Sequence, residues 1–164
     1  MANRELVMLA QTFNAAKHRS AGMFLSEKLD GMRCLWLPAT RGKSIKEVPF
    51  ANRGRDRREY VCTGLWSRYG KVIHCPDKFV SGFPDYPLDG ELYLGLGNFQ
   101  MLMSTVKTLV AVESAWEKVK YMVFDAPTYR QVFASGRINN PQYKYTMKLE
   151  DNLQGIGFGL DEEI

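Results

Sequence analysis

The residues with the greatest chemical potential lie close together near the start of the chain, in the segment SEKLDGMR from Ser26 to Arg33. Lys28 carries a primary amine, which is protonated at neutral pH and becomes a nucleophile only where neighbouring cations or desolvation favour its neutral form. Asp30 can orient that amine or hold a metal ion, and Gly31 lets the chain turn without a side chain obstructing a bound ligand. Arg33 adds a planar fork of donors suited to a phosphate or sugar oxygen. An amine, a carboxylate and a guanidinium at this spacing can attack and stabilise a phosphoryl group. Read alone, the same residues also describe a hairpin with charged edges.

A second acidic pair follows in LDGELYLG, where Leu88, Gly90, Leu92 and Leu94 alternate with Asp89, Glu91 and Tyr93. That period of two places Asp89 and Glu91 on one face of a strand. KYMVFD, Lys120 to Asp125, reads as another buried strand, stopped by Ala126-Pro127. Between Met122, Val123 and Asp125, the ordinary role of Phe124 is core packing.

The elements that must position these groups are short. MFLSEK from Met23 and MRCLWL from Met32 read as two strands of a hairpin turned at Asp30-Gly31, with Lys28 at the end of the first. Pro38 to Glu59 is polar, basic and broken by Gly42, Pro49 and Gly54, which predicts a long loop, mobile without a ligand. Tyr60 to Thr63 and Lys71 to His74 read as short strands flanking a turn over Gly64 to Gly70. Asn98 is the expected N-cap of a helix through FQMLMSTVKTLVAV, with Phe99, Leu102, Met103, Val106, Leu109 and Val110 on its core face. The opening ELVMLAQTFNAAK fits either a short helix or an extended lead-in.

Composition narrows the class. With 164 residues, 45% hydrophobic and 24% charged, the chain has room for one domain with a real core, and wholesale disorder is excluded. Its longest apolar runs, LVMLA and TLVAV, fall far short of the roughly 20 residues of a membrane-crossing helix. No leader pattern opens the sequence, so no export is expected. Three cysteines without a paired spacing and two isolated histidines argue against a disulfide framework and a zinc site, and fit a reducing cytoplasm. Residues 1–80 hold 15 Lys/Arg against 7 Asp/Glu, with the cluster RGRDRR at Arg53 to Arg58. A polyanion, and nucleic acid first among them, is the partner this asymmetry favours, although a charge run alone also describes a solvated loop.

SEKLDGMR resembles the KxDGxR signature shared by ATP-dependent DNA ligases, RNA ligases and mRNA-capping enzymes. Three more elements follow in the family's order: SRYGK at Ser67 to Lys71, DGELY at Asp89 to Tyr93, and YMVFDAP at Tyr121 to Pro127. SRYGK resembles the SRxGK element of DNA ligases. PLDGELYLGLGNFQ, with MLAQTF near the start, is most similar to the compact DNA ligases of bacteria and their phages, over roughly Met8 to Pro127. The resemblance implies an α+β nucleotidyltransferase fold of mainly antiparallel sheets flanked by helices.

It also implies an activity. ATP is the expected adenylate donor, Mg²⁺ the expected metal, and a nick in double-stranded DNA the expected substrate, in the cytoplasm or in that of a host if the chain is phage-encoded. Lys28 is the expected nucleophile; Asp30 supports metal and lysine geometry; Arg33 contacts the nucleotide or the nick termini; Glu91 meets the ribose or a divalent ion. Ser26 and Glu27 lie where the family reads the adenine edge, and Phe124 where it stacks on the ring. Arg68 matches the position that binds the nick 5′-phosphate, with Lys71, Arg53, Arg55, Arg57 and Arg58 as further DNA-facing cations.

The sequence departs from the family after Pro127. No EG dipeptide follows to begin the EGxMxK/R element, and YKYTMK at Tyr143 to Lys148 does not match the KxK element in spacing. No duplex-clamping OB-fold is expected within these residues either. The expectation is therefore a partial adenylation domain over residues 1–164, truncated, split or decayed, active alone or completed by a second polypeptide. An RNA ligase or capping enzyme, or a fragment that binds nicks without sealing them, are the alternatives.

Overall fold

Strand β1, Met32–Trp36, begins directly after the Asp30-Gly31 pair, and what occupies its two edges organises its surroundings. The structure is a computed structural model that describes residues 6–7, 12–23, 26–128 and 132. One edge of β1 pairs antiparallel with β2 (Leu65–Ser67) and the other with β3 (Leu88–Tyr93). Strand β4 (Lys120–Asp125) closes the far side of β3, giving the order β2-β1-β3-β4.

Register then sorts side chains between two faces. Met32, Cys34 and Trp36 lie opposite Leu92, Gly90 and Leu88, whereas Arg33 lies opposite Glu91 and Leu35 opposite Asp89. The first face is covered by three short helices: α1 (Asp77–Val80), α2 (Phe99–Val106) and α3 (Glu113–Trp116). Their Val80, Leu102, Val106 and Trp116 join Cys34, Trp36, Leu65, Leu88 and Leu92 in one buried cluster. Burying each of the larger side chains stabilises the fold by about 1.5–3 kcal/mol. The indole of Trp36 keeps a polar partner there, donating to the carbonyl of Pro84 at 2.7 Å.

The opposite face is divided. Leu35 and Trp66 form a second cluster with Val7, Leu37, Ile45, Val48 and Cys62, while Arg33, Asp89 and Glu91 make the remainder polar. A mixed fold of antiparallel sheet and flanking helices matches the expected α+β class.

Several expected elements differ. The hairpin ahead of β1 is not seen among the described residues: β2 pairs with β1 only from Cys34 to Trp36, and Ser26–Leu29 nevertheless run as irregular chain, with 24–25 outside the described residues. Lys28 therefore sits on a loop rather than on a strand. The chain expected to turn over Gly64 to Gly70 contains β2, because Leu65 and Trp66 are the residues with enough apolar surface to bury. The expected strands beside it reduce to isolated bridges, Ser44 with Val61 and Trp66 with Val72.

The segment from Pro38 to Glu59 holds two 3-10 turns, Pro38–Thr40 and Ile45–Glu47. Ile45 and Val48 anchor it in the second cluster, and Ser44 and Glu47 form a reciprocal capping box. Asn98 occupies the N-cap position of α2, but its amide donates to the carbonyls of Leu94 and Leu96. That helix stops at Val106. The hydroxyls of Ser104 and Thr108 take carbonyls of its last turns, and Leu109 and Val110 are exposed instead of core. Strand β4 alternates between exposed and half-buried residues, as an edge strand with one covered face does. Much of the opening segment lies outside the described residues, and its described part at Asn14–Lys17 forms a turn.

Candidate active site

Glu91 is the centre of the polar half-face. Strand alternation aims it away from the helix layer, and the chain bends at Gly31 so that the Gly31 N–H donates to its carboxylate. The closeness is strict: a Cβ at Gly31 would stand 2.3 Å from the Leu92 carbonyl oxygen and 2.7 Å from Cγ of Glu91. Burial is the largest influence on the Glu91 carboxyl and pushes its pKa up; the Gly31 N–H, Arg33 and Lys28 oppose that, and Asp30 adds to it. Lys28 and Asp30 are thus both within electrostatic reach of Glu91, Lys28 exposed and Asp30 half-buried. The structure brings the amine and the two carboxylates together although the hairpin expected to do so is absent.

Arg33 is held differently from the simple phosphate grip that its type suggests. Its Nε and one terminal nitrogen donate to the two carboxylate oxygens of Asp89, each at 2.6 Å. Its guanidinium carbon also stands 5.1 Å from the centroid of the Phe124 ring. Asp89 is the buried carboxylate in this group, and the neighbouring Asp125 carboxyl is pushed up by burial and by the Asp89 charge. Phe124 is 37% exposed on the same face as Met122, so a flat apolar group can reach its ring. Packing in the core, its ordinary role, is not what the structure shows. Ser26 and Glu27 are exposed on the loop that leads to Lys28.

The basic residues separate into two groups. Arg53, Arg68 and Lys71 line a cavity of about 690 Å³ between the end of β2, the start of β1 and α2. Within it the Arg68 guanidinium donates to the Tyr69 hydroxyl and lies 4.6 Å from that ring's centroid. Arg55, Arg57 and Arg58 are exposed outside the cavity, and Arg58 is tied to Asp56 through two bonds of 2.9 Å. Hydrogen bonds and charge from Arg58 hold the Asp56 carboxyl down at about 2.

The sequence reading left Asp89 without a role and gave none to Met122 or Tyr69. Pairing β1 with β3 in register would have found Asp89, since it places an arginine and an aspartate on one face of adjacent strands. Glu91 and Asp30 supply hard oxygen donors whose mutual repulsion a divalent cation would relieve, so the site's chemistry fits Mg²⁺. Among the described residues no group of three or more His, Cys, Asp or Glu forms a metal cage. No helix among the described residues is long and apolar enough to cross a membrane.

No protein-family model matches the chain. A DNA ligase of Haemophilus influenzae is 31% identical over 126 residues, covering 77% of this chain and 36% of that protein. A solved structure from work on Lig E DNA ligases and DNA binding with a minimal scaffold aligns with a TM-score of 0.53 and 26% identity, covering 74% of this chain and 39% of the other. With these likenesses, the chain carries a DNA ligase domain, and it spans little more than a third of the length of the relatives it matches.

Proposed function

We propose that the chain is the adenylation portion of an ATP-dependent DNA ligase. The observation that carries this reading is the contact between Glu91 and the Gly31 N–H, which sets Lys28, Asp30 and Glu91 in one electrostatic neighbourhood that also includes Arg33, over which the Phe124 ring lies. In its neutral form the Lys28 amine attacks the α-phosphorus of ATP, forming an N–P bond as the bond to pyrophosphate breaks. The lysine-bound AMP then passes to the 5′-phosphate oxygen at a DNA nick, returning the amine. Finally the 3′-hydroxyl attacks that phosphate, AMP leaves, and the strand is sealed.

Each residue contributes a separate piece of this sequence. Phe124 offers a face for adenine, and Ser26 and Glu27 stand beside the loop that carries Lys28. Arg33, with two donors committed to Asp89, holds the floor of the site and lies against the adenine platform. Glu91 and Asp30 are the residues that would hold Mg²⁺, which supplies stabilisation of charge on the phosphoryl oxygens. Arg68 and Lys71, with the exposed Arg55 and Arg57, face the phosphates of nicked DNA. A complementing polypeptide would add at the outer edge of β4, the last of the described strands in the sheet.

The reading is tested by incubating the protein with ATP and Mg²⁺ and measuring its intact mass. One AMP adduct is expected on the wild type and none on Lys28→Ala. A GMP adduct from GTP would move the assignment to the capping relatives, and salt-sensitive DNA binding with no covalent nucleotide would leave a nick-binding fragment.

A further inference from the structure

The turn that carries Arg68, residues 67–70, is fixed by bonds to which the Tyr69 side chain contributes nothing. The Gly70 N–H donates to the Ser67 carbonyl at 2.9 Å, and the Ser67 N–H donates to the Lys71 carbonyl at 2.8 Å. Asn52 and Leu6 hold the turn from outside, their N–H groups donating to the carbonyls of Gly70 and Arg68, each at 2.7 Å. Gly70 takes a φ of 73°, and a Cβ there would stand 2.9 Å from the Phe50 carbonyl oxygen. The bend is therefore set by backbone and glycine.

Tyr69 does not serve the core either. Its side chain is half-buried and belongs to neither of the two buried clusters. What it touches is its neighbour: the Arg68 guanidinium donates to the Tyr69 hydroxyl, and its carbon lies 4.6 Å from the centroid of the ring. No carboxylate pairs with Arg68 among the described residues. An arginine at the corner of a turn samples many rotamers, and a ligand that binds it meets the entropy of ordering that side chain. With the guanidinium already held, that ordering is complete, and the donors not given to the hydroxyl remain for an anion. Arg68 and Tyr69 border the same cavity as Gly31, Met32 and Arg33, so the held guanidinium stands on the margin of the reacting site. The SRxGK pattern leaves its third position open, which makes the tyrosine a property of this chain.

We propose that Tyr69 is the positioning residue of Arg68: its hydroxyl and ring face hold the guanidinium in one orientation before DNA arrives, and so sharpen discrimination between a nick with a 5′-phosphate and one with a 5′-hydroxyl. Tyr69 acts through Arg68. The inference rests on the ligase reading for the identity of the anion, and adds to it the residue that sets the selectivity.

Equilibrium binding of two nicked duplexes, identical except for a 5′-phosphate or a 5′-hydroxyl at the nick, tests it on the full chain without a chemical step. The wild type is expected to bind the phosphorylated nick at least about tenfold more tightly. Tyr69→Ala is expected to reduce that preference about fivefold, and Tyr69→Phe, which keeps the ring without the acceptor, about twofold. In an Arg68→Ala background, Tyr69→Ala is expected to change the preference no further, which a general loss of folding would not reproduce. An unchanged preference in both tyrosine variants, an equal effect of Tyr69→Ala with and without Arg68, or a wild type that binds both duplexes alike or neither overturns the proposal. The AMP adduct on the wild type is read separately by mass, so failure of the ligase reading shows as a missing adduct and failure of this one as an unmoved preference.

Discussion

Arg33 and Asp89, on adjacent strands, share two hydrogen bonds of 2.6 Å in a largely buried ion pair beneath the Phe124 ring. The Asp89 side chain is 9% exposed and that of Arg33 21%, so solvent screens the pair weakly. Removing Asp89 takes both of these hydrogen bonds from a largely buried guanidinium. Asp89→Ala is expected to lower unfolding stability by about 3 kcal/mol in urea denaturation, and a loss below about 1 kcal/mol would show the pair to be dispensable.

Gly31 is required by contact. Its N–H serves Glu91, and a Cβ there would stand within van der Waals radii of the Leu92 carbonyl oxygen and Glu91. Gly31→Ala is expected to reduce the rate of AMP adduct formation at least tenfold, about 1.4 kcal/mol in the barrier. Gly82→Ala, with no heavy atom near its Cβ, is the matched control and is expected to leave the rate unchanged.

The raised pKa of Glu91 has a signed consequence for stability. The unfolded chain releases this proton at the ordinary glutamate pKa of about 4.3, while the folded chain holds it to higher pH. As pH rises from the ordinary value through the raised one, folding is progressively penalised. Glu91→Gln, whose amide oxygen still accepts from Gly31, removes that penalty. Denaturation should show it gaining stability over the wild type at pH 7 and matching it below the ordinary carboxylate range, while adduct formation collapses. Equal stability at both pH values would refute the burial argument.

Phe124 presents its ring to the open side of the sheet, so its loss should affect nucleotide binding more than folding. Phe124→Leu keeps the apolar contact with less stacking surface. ATP concentration dependence of adduct formation is expected to shift by about 1 kcal/mol, some fivefold in half-saturation, with the melting temperature little changed. A large drop in melting temperature with unchanged ATP dependence would return Phe124 to the core.

Exposed arginines outside the cavity differ in their commitments. Arg58 is bound to Asp56, whereas Arg55 and Arg57 form no ion pair among the described residues. Replacing Arg55 or Arg57 by Ala is expected to reduce the slope of log affinity for nicked DNA against log salt by about one each. Arg58→Ala should change it less, because Arg58 already has a counter-charge. Equal slopes for all three variants would place DNA elsewhere.

The sequence was most legible where one period ran uninterrupted. Leu88–Tyr93 is a strand where alternation placed it, Lys120–Asp125 is a strand where a buried one was read but alternates between exposed and half-buried residues, and α2 begins at Phe99 as expected. Local signals failed where tertiary pairing overrode them. β2 lies between two glycine turn signals and exists because Leu65 and Trp66 add to the edge of β1. The hairpin ahead of β1 looked sound locally, yet Ser26–Leu29 run as irregular chain. Lys28, Asp30 and Glu91 were legible by type and order, yet their meeting depends on the glycine contact with Glu91, and Arg33's commitment to Asp89 depends on register between strands far apart in sequence.

The most direct test is to map the site of AMP attachment after incubation with ATP and Mg²⁺, by fragmenting the peptides of the adducted protein. The account predicts AMP on the Lys28 side-chain nitrogen, in the peptide that includes Asp30. AMP on another lysine, such as Lys71 or Lys120, or no adduct at all on correctly folded protein, would contradict it.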